Sequence, residues 1–249
     1  MPKIPPVRLR LLSSLGLLLL WQLAAWAAHS TLLPSPVAVL GLVWRDTLSG
    51  QLPQDLAATL TRVAIAFFLA MVVGSVIGVV MGRWRTADLL LDPWLILFLN
   101  IPALVTIILC YVWFGLGEVA AILAVTVNKI PNVVVTLREG ARTLDRDFLE
   151  MSQSFRVGRR KTLLYVVLPQ LLPFFAVAAR SGLALIWKIV LVVELLGRND
   201  GIGFQLHIFF QLFDVTGILA YSLAFVLVML VIEYAVLQPL ERAANRWRK

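Results

Sequence analysis

The side chains of this sequence that invite a chemical reading are polar and charged groups set inside apolar runs. Lys129 lies about eleven residues into one such run, ~16 Å deep at 1.5 Å per residue, with Asn128 and Asn132 beside it. Asn128, Asn132 and Thr136 recur at spacing four, which places them on one helix face. Pro131 has no N–H to give to the carbonyl of Val127, so an acceptor is left free at the same depth. A charge near a bilayer centre costs roughly 2.5–3.5 kcal/mol on insertion scales and therefore faces water or a partner. Two readings of Lys129 follow: a cation on a pathway for polar solutes, or half of an ion pair that locks helices together. On another run Arg180, Trp187 and Glu194 fall seven apart, with Lys188 about 80° around the helix from Arg180. There an Arg and a Glu on adjoining helices are expected to neutralise each other, with Glu194 at the outer interface. Asn100, next but one to Pro102, interrupts a third run.

Catalytic sets are absent from this pattern. His29 and His207 are the two histidines and Cys110 the one cysteine, so neither a zinc site nor a Cys/His nucleophile is supported. A glycine-rich phosphate loop ending in Gly-Lys-Ser/Thr is missing too. The expectation is a non-enzyme with no catalytic residue, metal site or cofactor of its own. If ATP drives its work, hydrolysis takes place on another chain.

The elements that must position these groups are membrane spans. Of 249 residues 60% are hydrophobic and 14% charged, against about 25% charged in soluble domains. Runs long enough to cross a bilayer are expected at about 11–28, 60–82, 93–114, 119–136, 171–195 and 216–238. The chain thus reads as one all-α membrane domain, 1–249, of six transmembrane helices. The first run, behind Lys3, Arg8 and Arg10, imitates a secretory leader but exceeds the usual apolar length, so it is expected to remain as an anchor. Between spans one and two, 31–59 reads as a loop with a short amphipathic stretch, Val37 to Leu48. Gly74, Gly78 and Gly82 form a flat stripe on the second span where another helix can approach closely, within the chain or in a second copy. The four phenylalanines 204, 209, 210 and 213 read as packing for an interfacial helix.

The net charge of +8 does not mark a nucleic-acid partner, because the cations gather between the spans. Apart from Lys129, Arg180 and Lys188 within spans, every Lys and Arg but Arg45, Arg62 and Arg198 falls on the side of the N-terminus. That asymmetry places both termini and the long basic loop 137–170 in the cytoplasm.

Within that loop, Glu150 to Pro173 forms a polar helix-turn-helix pattern between two spans: an acidic start, a break near Val157-Gly158, the basic run Arg159-Arg160-Lys161, then apolar residues up to Pro169. With so little apolar surface of its own, it reads as a docking element for another protein. Glu150, fifteen residues, Val166, one residue, then Leu168-Pro169 resembles the EAA loop of bacterial ATP-binding-cassette (ABC) importer permeases. Met151 and Ser152 stand where that loop usually has two alanines. Arg156 stands where it usually has Gly, and Gly158 follows two residues later. Leu33-Pro34-Ser35-Pro36, Thr59 to Val63, Met81-Gly82-Arg83, Leu91-Asp92-Pro93, Trp113 to Gly117 and Glu194 to Gly197 are similar to the nitrate, sulfonate, taurine and bicarbonate branch of that family.

The resemblance implies a type I ABC importer permease in a bacterial inner membrane, working as a homodimer. It implies two ATPase subunits, which hold the ATP and Mg, and a periplasmic solute-binding protein. The ATPase-coupling residues would be Glu150, Met151, Ser152, Gly158, Arg159, Arg160, Val166, Leu168 and Pro169. Asn100, Asn128, Lys129, Asn132, Arg180 and Lys188 are the candidates for the pathway of a small anion or polar organic solute. The rival class is a self-contained secondary transporter or channel, which calls for inverted repeats and midplane carboxylates; the acidic residues here lie mainly at span ends.

Overall fold

The computed structural model describes residues 6–30 and 32–239, and among these no residue is in a strand. Lys3 and the tail cations Arg242, Arg246, Arg248 and Lys249 lie outside the described residues. The first expected span is α1 (Pro6–Ala28). It meets the remainder of the fold mainly through Trp21, whose indole N–H donates to the Pro34 carbonyl at 3.0 Å. The expected loop that follows is largely helical. In α2 (Pro36–Leu48) the Ser35 hydroxyl accepts from the Ala38 N–H at 3.2 Å, and Pro36 occupies a first-turn position where a missing N–H is harmless.

The second span is longer than its apolar run. α3 (Gln51–Arg83) has 33 residues, about 50 Å. It begins at Gln51 and not at Leu60 because Leu52, Asp55, Thr59 and Arg62, at spacings of three and four, bury one face against other helices. The third expected span, 93–114, is not one helix. α4 (Arg85–Asn100) and α5 (Ala103–Phe114) meet at 97°. Pro102 supplies no N–H and pushes Ile101 into extended backbone, φ −71° and ψ 124°, while the Asn100 side chain donates back to the Ile96 carbonyl at 2.8 Å.

α6 (Glu118–Arg142) runs past residue 136 into the expected loop. Leu137, Gly140 and Ala141 are buried there, and Arg138 and Arg142 pair with Asp88 on α4, at 3.3 and 2.5 Å. The loop itself holds α7 (Arg146–Ser154) and α8 (Arg159–Thr162), then a π-helical turn, Leu163–Val167, that leads without a break into α9 (Leu168–Gly197). α10 (Ile202–Gln211), α11 (Val215–Ile232) and a second π turn, Glu233–Leu237, complete the described chain. Each π turn ends two residues before a proline, Pro169 and Pro239. A proline clashes with the carbonyl four residues back, and a widened turn relieves that clash.

By length and composition four described helical stretches suffice to cross a membrane, or five with the bent pair as one; α1 adds the shorter apolar stretch Leu15–Ala28. The interruption expected at Asn100 and Pro102 in the third of the six spans is a full break, bent by 97°. α3, α6 and α9 form the centre. The glycine stripe of α3 lies on α6 of the same chain: a Cβ on Gly78 would stand 2.7 Å from the Val134 carbonyl oxygen, and one on Gly82 2.6 Å from that of Arg138. Around the Glu194 end, buried Val39, Ile107, Tyr221 and Phe225 pack α2, α5 and α11 onto this centre.

Candidate functional site

The docking element is built on an exposed turn anchored at both sides. Asp145 caps α7 by accepting from the Asp147 N–H at 2.9 Å, and its own N–H donates to Gln170 at the start of α9, also at 2.9 Å. Leu144 and Leu149 pack against Leu171 and Phe175, and Ser152 is buried with its hydroxyl on the Leu149 carbonyl. From Gln153 to Lys161 every residue is exposed. Glu150 and Met151 face outward on α7, Arg159 and Arg160 on α8; Val166 and Leu168 are half-buried and Pro169 is exposed.

The turn closes as a helix C-cap. Val157 N–H donates to the Ser152 carbonyl at 2.8 Å and Arg156 N–H to that of Gln153 at 2.9 Å. This double bond pattern places its central residue in the left-handed region, normally a glycine. Here that residue is Arg156, at φ +50°. Gly158 does not take over the role: at φ −60°, ψ 146° it is the extended residue before α8.

A second polar centre lies at the far end of α9, and its members were only partly legible from sequence. Arg62 of α3 is 3% exposed and donates to three carboxylates: Glu118, Glu194 and Asp200, each with one contact at 2.7 Å. Glu194 is fully buried, and its second oxygen accepts from Thr59 and from the Gly203 N–H at 2.9 Å. Asp55 accepts from the Gly201 N–H and from Gln205 at 2.9 and 3.0 Å. Gly201, at φ +100°, has no room for a side chain, since a Cβ would sit 2.6 Å from the Glu194 carboxylate. Glu194 is thus interior and not interfacial, and it is neutralised by Arg62 on α3, an Arg and a Glu on adjoining helices. Arg62, with three carboxylates around it, carries the centre. The spacing of three and four from Asp55 to Arg62 was the available signal; the partners lie 56 to 138 residues away, Asp200 in the bend between α9 and α10.

The pathway candidates do not gather at one point. Lys129 is 1% exposed, with its Cε 3.2 Å from where a Cβ on Gly182 would stand and Phe67 of α3 close by. No described carboxylate pairs with it. Asn128 is half-buried and Asn132 exposed, with the Thr136 hydroxyl donating to the Asn132 carbonyl at 3.1 Å. Lys129, 100° around the helix from Asn128, turns into the α3–α6–α9 interior instead of sharing their face. Arg180 and Lys188 are exposed on α9; Arg180 pairs with Glu233 at 3.1 Å, and the Lys188 ammonium lies 5.4 Å from the Trp187 ring centre. Asn100 is exposed at the helix break. An apolar groove of 310 Å³ between α3, α4 and α6, lined by Met81, Trp94, Phe98 and Pro131 among others, includes none of these polar candidates.

A helical membrane bundle with an exposed, capped helix-turn-helix between two spans is the architecture of an importer permease. Residues 70–238 match the family of binding-protein-dependent transport system inner membrane components, and the chain belongs to that family. It is 31% identical over 193 residues to the taurine transport system permease protein TauC of Escherichia coli (strain K12), covering 75% of this chain and 70% of that protein. It is 28% identical over 214 residues to the bicarbonate transport system permease protein CmpB of Synechococcus elongatus (strain ATCC 33912 / PCC 7942 / FACHB-805), covering 81% and 77%. Among solved structures, the MetNI methionine ABC transporter in inward-facing form aligns with TM-score 0.66 at 20% identity, over 81% of this chain and 99% of that one. That likeness establishes the fold: a type I ABC importer permease.

Proposed function

We propose that two copies of this chain form the translocation pathway of an ATP-driven importer, with two ATPase subunits seated on the turns between α7 and α8. A solute-binding protein delivers substrate from the periplasm, and the loop side of the bundle faces the cytoplasm of a bacterial inner membrane. ATP and Mg belong to the ATPase, since this sequence has no phosphate loop. The observation that carries the reading is the docking turn itself: Gln153 to Lys161 is exposed, yet α8 leads through Leu163–Val167 into α9 as one helical rod. ATPase closure is delivered along that rod as a change of span packing. The names of the relatives favour a small anion or polar organic solute, of the taurine or bicarbonate kind.

The test is Glu150→Lys in the full chain co-expressed with its ATPase. Membrane insertion should be retained while ATPase retention and uptake fall about tenfold, a charge reversal at an interface being worth about 1.4 kcal/mol or more. Normal uptake by an assembled variant would remove Glu150 from the docking surface. Lys129 belongs to the same reading, as the cation the pathway exposes when α3, α6 and α9 part. An uncompensated buried ammonium is costly, and water or an anionic solute entering the pathway relieves that cost. Lys129→Met should lower uptake with complex yield unchanged; unchanged uptake takes Lys129 out of the pathway.

A further inference from the structure

Arg156 sits in a backbone conformation that disfavours every residue with a Cβ, at the one place in the docking turn where glycine is free of that penalty. Strain kept at an exposed turn points to a use for the side chain, and nothing among the described residues supplies one. The Arg156 guanidinium is exposed and makes no ion pair or hydrogen bond with described residues, and the same holds for the side chains of Arg159, Arg160 and Lys161 next to it. Large apolar side chains share the surface: Phe155 is 77% and Tyr165 76% exposed.

We propose that Arg156 is a partner-selecting residue, the tip of a cationic and aromatic surface that fits an acidic groove with an apolar floor on the ATPase. The inference rests on the docking reading above and adds the chemistry of the groove. A guanidinium exposed at this turn can meet a partner carboxylate with bidentate geometry. A folded protein fits this surface better than an anionic lipid surface does. Asp147 and Glu150 are exposed on the same α7 helix without ion pairs among the described residues, and a uniformly negative bilayer repels them.

The experiment uses the full-length permease and its ATPase, with ATPase affinity and the melting temperature of the permease alone measured for each variant. Arg156→Gly should hold or raise the melting temperature and yet weaken ATPase binding about tenfold. Arg156→Asn, which also tolerates the left-handed region, should show the same loss. Arg156→Lys, which keeps the charge but not the two-pronged fork, should recover only part of the affinity, Arg156→Glu should lose more than Gly, and the differences should shrink with added salt. If wild type binds the ATPase and the Gly and Asn variants bind as well or better, the Arg156 assignment is overturned and the docking reading stands. A wild-type chain that is folded but binds no ATPase overturns both. Unchanged ATPase binding, with lost affinity for phosphatidylglycerol vesicles, assigns the residue to lipid and overturns the proposal.

Discussion

At the scale of single residues, stability and function pull apart. The left-handed backbone at Arg156 costs roughly 1–2 kcal/mol relative to a relaxed residue, part of which Gly returns to the unfolded chain as entropy. Arg156→Gly should therefore stabilise the isolated permease by up to about 1 kcal/mol, read as a higher melting temperature. Arg62 and Glu194 are the reverse case, since the pair is fully interior and every atom of the Glu194 carboxylate is engaged. Glu194→Gln places an amide N–H₂ against existing donors and removes the charge facing Arg62. Breaking one side of a buried pair costs about 3 kcal/mol or more, so the variant should melt well below wild type. An unchanged melting temperature would show that Glu118 and Asp200 alone suffice for Arg62.

At the scale of elements, Gly78 supports a close helix contact that spacing alone suggested. Gly78→Ala should part α3 from α6 or shift the Val134 backbone, at about 1–3 kcal/mol, measurable by thermal unfolding in detergent. That contact was legible because small residues at spacing four leave a visible gap in an otherwise bulky run. The spans were legible for the same reason, as long stretches of Leu, Val and Ile. What escaped was helix made of polar residues. Gln51 to Thr59 and Leu137 to Arg142 read as loop because their polar side chains lack a local reason to be buried. Their partners, Glu194, Gly201 and Gln205 for the first and Asp88 and Asp92 for the second, are distant in sequence. The break at Pro102 was visible as an interruption, but its 97° angle depends on how α4 and α5 each pack. Lys129 was legible as buried, whereas the direction of its side chain depends on Gly182 leaving room on α9.

At the scale of the whole molecule, the reading predicts a pair of chains with a fixed sidedness. Two differently tagged copies should co-purify from one membrane; a working complex with a single copy would refute the homodimer. Cys110 is buried and is the one native cysteine, so engineered cysteines report cleanly. Cysteine at Asn199 should react with an impermeant thiol reagent in intact spheroplasts, and cysteine at Phe155 after permeabilisation alone; the opposite pattern would invert the orientation. These two positions stand at the ends of one rod, Arg159–Gly197, 39 residues long and about 58 Å. At Gly182, about three-fifths of the way along, the rod makes room for α6 and α3: a Cβ there would stand 3.2 Å from the Lys129 Cε and 3.6 Å from the Phe67 ring. Pivoted about Gly182, a rod with these unequal arms would turn about 2 Å of travel at its Arg159 end into about 1 Å, in the opposite sense, at Glu194. One ångström takes a 2.7 Å ion-pair contact beyond hydrogen-bonding reach, so on the docking reading proposed above a modest push at one end of the rod would become a make-or-break event at the other.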